Sequence, residues 1–303
     1  MLKIKTIMKQ LSLTLLLSFL LNVAFCQSRQ FLYGGEKRRY TIYLPASYNK
    51  ENQKGFPVVF NFHGGGMTMT EQMFYTRMNE SAEKNHFIVV YPQGIKQDWN
   101  VGFEMSYQYG TDDVGYIKAL LATLHKEFRI ERRKVYATGL SRGGFFCQRL
   151  AAEVPESFAA VVAVGAPLPD SVSYFHKKKS TVGVMLVQGD EDKVVSYDGK
   201  EKAYYSAMKT FEYWKKHNGL EAVPIIQRAI NKDKRDSTTV ELKEVTRNGV
   251  AVSLVTIRGG GHTWPGSHPF NIGYPLGRTS KDIDVNEVIW KFLSRHSRDE
   301  NSN

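Results

Sequence analysis

The chain has 303 residues, of which 42% are hydrophobic and 23% charged, a balance typical of a globular protein rather than a fibrous or disordered one. Its formal net charge of +11 permits an anionic partner, but the sequence has no basic stripe interleaved with aromatic residues, so nucleic-acid binding is not expected. Two cysteines exclude a disulfide-rich scaffold and a cysteine-rich zinc fold.

The amino-terminal segment is typical of a secretory signal. Lysines precede an apolar run over Leu11–Phe25, which as a helix would span about 22 Å and fall short of a bilayer core. Cleavage is expected after Cys26, before Gln27; the alternative is a lipoprotein anchored through a lipidated Cys26. The sequence therefore predicts a signal peptide over residues 1–26 and one folded domain over residues 27–303, secreted or periplasmic and without a later membrane span.

Short apolar runs then alternate with helical patterns. The predicted strands, in chain order, are Arg39–Leu44, Pro57–Phe62, Phe87–Tyr91, Lys134–Thr138, Ala160–Gly165, Val182–Gln188 and Val252–Arg258. The predicted helices are Glu71–Lys84, a helix capped by Thr111 or Asp112 and running to Phe128, Arg142–Glu153 and Val285–Arg295. The apolar runs are continuous, as in strands covered on both faces, so we expect an α/β fold with a mostly parallel sheet and helices on both faces.

Two stretches interrupt this alternation. Gly94–Gly110 is a long loop that carries Trp99 and Tyr107, and Asn218–Asp236 is a polar, basic loop before a hairpin that turns at Asn248-Gly249. Trp99 and Tyr107, with Trp264 further along the chain, are candidates to line a substrate cleft, because aromatic faces stack on sugars and phenolic acids. Ordinary packing beneath the loop is the alternative.

The segment Gly139-Leu140-Ser141-Arg142-Gly143 follows a predicted strand and opens a predicted helix. This is the G-x-S-x-G pattern in the setting of a nucleophile elbow, where a sharp turn exposes the serine at the carboxyl edge of the sheet. The helix dipole there favours developing negative charge. The sequence therefore predicts Ser141 as a nucleophile; a tight turn with Ser141 as a helix cap is the alternative.

A second glycine-rich segment, His63-Gly64-Gly65-Gly66, directly follows the predicted strand Pro57–Phe62. Backbone amides of such a loop, at Gly64 and Gly65, can form an oxyanion hole together with the amide of Arg142. The side chain of His63 is expected to be structural.

A serine nucleophile needs a base and a residue that orients the base. His262 follows the glycine run Gly259–Gly261 at a strand end, so its side chain can reach the nucleophile. Asp190, Glu191 and Asp192 follow the strand Val182–Gln188 and are the candidate acids, in the chain order serine, acid, histidine of α/β-hydrolases. Because each group follows a strand, all can meet at one sheet edge.

The other polar groups are expected to have structural roles rather than catalytic or metal-binding ones. His262 and His268 lie six residues apart with no carboxylate ligand between them, so no metal site is expected. The Asp112-Asp113 pair suits a helix start better than acid–base chemistry.

These motifs together resemble secreted α/β-hydrolase esterases of the polyhydroxybutyrate depolymerase and feruloyl esterase group, which is similar to carbohydrate esterase family 1. The resemblance covers about Arg39 to Phe292 and includes, besides the segments above, Tyr91-Pro92-Gln93-Gly94, Trp99-Asn100, Asp112-Asp113-Val114-Gly115 and the His-Thr-Trp-Pro-Gly run within Gly259–Gly266.

The resemblance implies a cofactor-free serine ester hydrolase with Ser141, Asp192 and His262 as catalytic triad. Expected substrates are feruloyl or acetyl esters of plant polysaccharide, or short hydroxyalkanoate polyesters. The sequence departs from the family pattern at Arg142, where a small or amide residue is usual, and at Gln188 and Ser196, where histidine and proline are usual. The alternatives are a serine peptidase on the same fold and a non-catalytic, carbohydrate-binding surface lipoprotein.

Overall fold

The computed structural model describes residues 25–49, 51, 53–268 and 275–298. The predicted signal peptide lies outside the described residues over 1–24. The strands are β1 (Phe25–Tyr33), β2 (Glu36–Leu44), β3 (Phe56–Phe62), β4 (Ile88–Pro92), β5 (Ile130–Leu140), β6 (Ala160–Val164), β7 (Gly183–Gly189), β8 (Ile226–Ile230), β9 (Thr239–Arg247) and β10 (Val250–Arg258). The helices are α1 (Met69–Thr76), α2 (Met78–Asn85), α3 (Asp113–Glu127), α4 (Arg142–Glu153), α5 (Asp170–Phe175), α6 (Ala207–His217) and α7 (Val285–Leu293).

Within the described residues, the strands form one ten-stranded sheet in the order β1-β2-β4-β3-β5-β6-β7-β10-β9-β8. The six strands from β4 to β10 are parallel to one another. Antiparallel strands extend the sheet at both edges, β1 and β2 on one side and β9 and β8 on the other. This arrangement confirms the predicted mostly parallel α/β sheet.

Alternate side chains of the central strands enter two separate hydrophobic cores. In β3, Val58 and Phe60 pack on the face that α3, α4 and α6 cover, whereas Val59 packs on the face that α1, α2 and α7 cover. Helices on both faces leave the strands apolar on both sides, which explains the continuous apolar runs in the sequence. Among the described residues, no helix has the length and apolar character needed to cross a bilayer.

The predicted helix Glu71–Lys84 is wrong as one element, because α1 and α2 are separate helices. Arg77 between them is left-handed, with φ 51°, and its amide donates to Met73 O at 3.0 Å. The apolar pattern continues across the break because both helices pack on the same face of the sheet. Periodicity alone therefore could not reveal it.

The sequence also missed regular structure at the sheet edge and on one face. Within the predicted loop Asn218–Asp236 lies β8, an exposed edge strand whose side chains give no alternating burial pattern. Helix α6, capped by Ser206, packs Phe211 and Trp214 into the core. The hairpin between β9 and β10 turns at Asn248 and Gly249 as predicted, both with positive φ.

Candidate functional site

Strand β5 ends in a sharp turn that carries Ser141 into α4. The backbone of Ser141 has φ 53° and ψ −120°, an unfavourable conformation for a residue with a Cβ, and its amide donates to Val164 O at 2.8 Å. A Cβ on Gly143 would lie 2.3 Å from Phe62 O, so only glycine lets α4 begin this close to the backbone of β3. The turn therefore has the geometry of a nucleophile elbow.

Asp192 and His262 form a buried pair at the same sheet edge. His262 Nδ1 lies 2.6 Å from Asp192 Oδ2, and both side chains are almost fully buried. Asp192 Oδ1 accepts hydrogen bonds from the amides of Val194 and Val195, both at 2.8 Å, and Gln188 Nε2 donates to Oδ2 at 3.1 Å. Four donors thus surround the carboxylate, and its bond to Nδ1–H leaves Nε2 of His262 as an acceptor.

The His262 ring lies beside the elbow. A Cβ on Gly165, which has φ 63°, would lie 2.9 Å from His262 Cε1, so the ring packs directly on this glycine at the end of β6. The preceding residue, Val164, accepts the hydrogen bond from Ser141 N. Ser141, Asp192 and His262 follow the carboxyl ends of β5, β7 and β10, and the Asp192–His262 pair lies against Gly165, next to the residue that accepts from Ser141 N.

The other two acids after β7 contact the loop that carries His262. Asp190 Oδ1 accepts a hydrogen bond from Gly259 N at 2.7 Å, and Asp190 Oδ2 lies 3.2 Å from Arg258 Nη1. Glu191 forms a 2.7 Å ion pair with Arg278. Asp190 therefore binds the histidine loop directly, whereas the Glu191 side chain reaches it only through Arg278, whose Nη1 donates to Gly259 O at 3.3 Å. Of the three acids, only Asp192 contacts the imidazole.

His63 is a structural residue of the glycine-rich loop. Its Nδ1 donates to Gly64 O at 2.8 Å, and its Nε2 accepts from Gly94 N at 2.9 Å. Burial lowers the pKa of His63 to about 4, so the ring stays neutral and keeps this donor–acceptor pattern. The backbone oxygen of His63 in turn accepts a 3.0 Å hydrogen bond from Trp99 Nε1.

The loop backbone lies against the elbow. A Cβ on Gly64 would lie 3.7 Å from Ser141 Cβ, and a Cβ on Gly65 would lie 3.6 Å from Arg142 Cβ. The residues predicted to supply oxyanion donors, Gly64, Gly65 and Arg142, therefore lie around Ser141, at the amino terminus of α4.

A cleft of about 410 Å³ opens beside Ser141. Its aromatic surface comes from Phe103, Phe145 and Tyr204, whose ring centroids lie 5.0 to 5.9 Å apart. The remaining lining residues are Gly65, Glu104, Arg142, Val194, Val195, Lys200, Glu201, Lys202 and Ala203. The loop Gly94–Gly110 thus contributes to the cleft through Phe103 and Glu104.

The three aromatic residues proposed from the sequence to line the cleft lie elsewhere, which corrects that expectation. Trp99 is 1% exposed and packs between His63 and Phe146, and Trp264, also 1% exposed, belongs to the core on the opposite face of the sheet. Tyr107 stacks on Phe175 with ring centroids 4.6 Å apart. The contacts of these three residues are those of ordinary packing, the alternative interpretation of their role.

The side chain of Arg142 is a feature that sequence reasoning did not assign. Its Nε lies 2.9 Å from Asp98 Oδ1, its Nη2 pairs with Glu104, and its guanidinium lies 4.9 Å from the centre of the Phe103 ring. The residue after the candidate nucleophile therefore holds the loop that forms one wall of the cleft. Its departure from the family pattern was the only signal in the sequence.

The remaining candidates have structural contacts. Asp112 caps α3 through a 2.9 Å bond from Gly115 N, and Asp113 is buried, paired with Arg38 at 2.7 Å. His268 is exposed. Within the described ranges, no group of three or more His, Cys, Asp and Glu side chains is placed to hold a metal ion.

Comparison with known proteins identifies the relatives of this chain. Residues 33–263 match the model of the Esterase family, described as "Putative esterase". "Putative esterase NocK" from Nocardia uniformis subsp. tsuyamanensis is 26% identical over 88% of this chain and 82% of that protein. "Feruloyl esterase B" from Piromyces equi is 23% identical over 74% of this chain and 42% of that protein, so the chain spans less than half of this longer relative.

A solved structure shares the architecture. "Acetyl xylan esterase from Aspergillus awamori" superimposes with a TM-score of 0.59 at 14% identity, covering 89% of this chain and 99% of that chain. At this identity the likeness shows the fold alone, and it confirms the predicted α/β-hydrolase architecture.

Proposed function

The chain belongs to the Esterase family, and on that premise we propose that it is a serine carboxylic-ester hydrolase that works through an acyl-enzyme. The observation that carries this proposal is the 2.6 Å contact between His262 Nδ1 and Asp192 Oδ2 beside the strained backbone of Ser141. Asp192 and His262 follow two different strands and have little structural reason to pair next to the elbow, whereas an acyl-transfer site requires such a pair.

In the proposed reaction, Ser141 Oγ attacks the ester carbonyl carbon while His262 Nε2 accepts the hydroxyl proton. The carbonyl π electrons move to oxygen, and this oxyanion receives hydrogen bonds from the amides of the Gly64–Gly65 loop and of Arg142. When the tetrahedral intermediate collapses, the alcohol leaves with the proton from His262. Water then attacks the acyl-enzyme by the same route and releases the acid and the free serine.

The surroundings of Asp192 support its role as the residue that orients His262. Two backbone amides and the Gln188 amide stabilise the carboxylate in its ionised form, and it in turn stabilises the imidazolium formed after proton transfer. The four donors also fix the plane of the carboxylate, and the carboxylate in turn fixes the orientation of the His262 ring through Nδ1.

The proposed substrates are feruloyl or acetyl esters of plant polysaccharide, with short hydroxyalkanoate polyesters as the alternative. The apolar and aromatic surface of Phe103, Phe145 and Tyr204 beside Ser141 suits an aromatic acyl group. The Piromyces equi relative is named "Feruloyl esterase B", and this name supports an aromatic acyl group as well. We further propose a secreted or periplasmic protein after removal of residues 1–26, or one anchored through Cys26, which is exposed.

A fluorophosphonate probe tests the mechanism, because it reacts with an activated serine and needs no knowledge of the substrate. We expect the purified protein to be labelled on Ser141 and to hydrolyse methyl ferulate, acetylated xylan or 4-nitrophenyl esters. Ser141→Ala should lose both labelling and turnover, whereas the exposed-serine control Ser294→Ala should keep both. Undiminished labelling of folded Ser141→Ala would overturn the proposal.

A further inference from the structure

A second cavity lies on the opposite face of the sheet from the Ser141 cleft. It has a volume of about 180 Å³ and lies between α7 and the outer strands β8, β9 and β10. Its apolar residues, such as Met185, Val255 and Phe292, belong to the core of that face, whereas Phe145 and Tyr204 of the cleft belong to the other core. The two cavities share no lining residue.

The cavity exists because α7 covers the sheet extension incompletely. Ile230 and Val240 are paired across β8 and β9, as are Arg228 and Leu242, so these side chains share one face of the sheet. The helix approaches this face through Val288 and residues one turn further on, and a gap remains between the two surfaces.

The mouth of the cavity is positively charged. Arg228 and Lys291 line the cavity and are exposed, and neither forms an ion pair within the part of the chain that the structure describes, although Arg228 also interacts electrostatically with Glu244. Among the described lining residues the one acid is Glu244, which forms a bidentate pair with Arg295, at 2.9 and 2.8 Å, and accepts a 2.8 Å hydrogen bond from Ser253. The two remaining cations therefore leave the apolar cavity with a net positive rim.

The size of the cavity limits what can enter it. An apolar cavity of about 150 Å³ is enough to bind benzene. A volume of about 180 Å³ therefore fits one six-membered ring with a short substituent. An apolar body together with a cationic rim selects an apolar molecule that ends in an anion.

We infer that this cavity is a second binding site, for a small aromatic carboxylate. The ring occupies the apolar space between β9 and α7, and the carboxylate lies at Arg228 and Lys291. Binding here does not depend on Ser141, because the site lies on the other face of the sheet.

Benzoate is the probe, and methionine methyl groups report where it binds. Met185 lines the second cavity, whereas Met67 contacts the active-site loop, since a Cβ on Gly64 would lie 3.1 Å from its Sδ. In protein with ¹³C-labelled methionine methyls, assigned with Met185→Leu and Met67→Leu, we expect saturable benzoate-induced shifts at Met185. Benzyl alcohol, a neutral analogue, should bind at least tenfold more weakly.

Surface variants test the charges without threatening the fold. Arg228→Gln combined with Lys291→Gln should raise the Kd for benzoate about tenfold, and the exposed-lysine control Lys216→Gln on α6 should not change it. Val288→Phe, which fills the cavity, should abolish the Met185 shift.

The inference is overturned if benzoate shifts Met67 alone or neither methyl, if benzyl alcohol binds equally well, or if the double variant keeps the wild-type Kd. Esterase activity is a separate readout: loss of the proposed mechanism in Ser141→Ala leaves the expected Met185 shift in place.

Discussion

The amide of Gly259 donates a 2.7 Å hydrogen bond to Asp190 Oδ1, which joins the loop after β7 directly to the loop that carries His262. The neighbouring contact, Arg258 with Asp190 Oδ2, lies at the same junction. Asp190 therefore acts between loops rather than within its own turn, and it contributes to the position of His262 without contacting the imidazole.

This arrangement predicts different consequences for the two aspartates. Asp192→Asn should lower kcat by about 10⁴, because an amide favours the wrong imidazole tautomer and cannot stabilise the imidazolium. Asp190→Asn keeps an oxygen that can accept from Gly259 and should cost about 1 kcal/mol of stability with a much smaller loss of kcat. Steady-state kinetics at equal folded fraction, with urea denaturation, distinguish the two. The opposite ranking would assign the triad acid to Asp190.

The two histidines near the end of the His262 loop should also differ. His262→Ala should lose as much activity as Ser141→Ala, whereas the exposed His268 should tolerate the same change. Wild-type activity should fall on acidification, because a protonated imidazole cannot accept the serine proton. Initial rates measured between pH 5 and 8 check this. A flat profile, or equal damage from the two variants, would count against His262 as the base.

The fold could be predicted largely because its strands are buried on both faces. Continuous apolar runs located the central strands, the Asn248-Gly249 turn located the hairpin, and the glycine spacing around Ser141 identified the elbow. Each of these signals is local, since the residues that produce it adjoin the element that it predicts.

The cleft wall depends instead on contacts distant in sequence. Which aromatic residue of the Gly94–Gly110 loop faces the cleft is decided by its packing: Trp99 donates to His63 O and is buried, and Phe103 contacts Phe145 and Tyr204. Trp99 and Phe103 are both aromatic residues of the same loop, so the sequence alone does not indicate which of them faces the cleft.

Phe103 should therefore affect substrate preference, and Trp99 should affect stability. Phe103→Ala removes part of the aromatic wall, so we expect KM for methyl ferulate to rise about tenfold while 4-nitrophenyl acetate hydrolysis changes little. Trp99→Ala leaves a large internal cavity and should destabilise the protein by roughly 3–5 kcal/mol. Paired kinetics and thermal unfolding measure both effects. Equal loss on the two esters in Phe103→Ala would contradict the assignment of the acyl side of the cleft.

Stability should decline on moderate acidification. Burial lowers the pKa of His63, His125, His176 and His296 to about 4. In the unfolded chain these rings titrate near pH 6.5, so between about pH 6.5 and 4 the unfolded state binds more protons than the folded state. The free energy of unfolding therefore decreases as the pH is lowered through this range. Urea denaturation at pH 7 and 5 measures the slope. Replacing His296 by Gln should reduce it; an unchanged slope would show that His296 is not held neutral.

The ion pairs of the Arg142 side chain should set the shape of the cleft, while its backbone amide donates a hydrogen bond to the oxyanion. Arg142→Gln keeps the amide but loses the pairs with Asp98 and Glu104, so the loop that carries Phe103 is no longer held against the elbow. We expect KM for methyl ferulate to rise about fivefold to tenfold, with kcat for 4-nitrophenyl acetate within about twofold of wild type.

The variant Arg142→Lys should resemble Arg142→Gln, because an ammonium cannot reproduce the planar fork of the guanidinium that contacts both carboxylates. Glu104→Gln removes one pair and leaves the elbow untouched, so it should give a smaller rise in KM. If Arg142→Gln instead lowers kcat on both esters and leaves KM unchanged, the side chain acts on the reacting centre and not on the cleft wall.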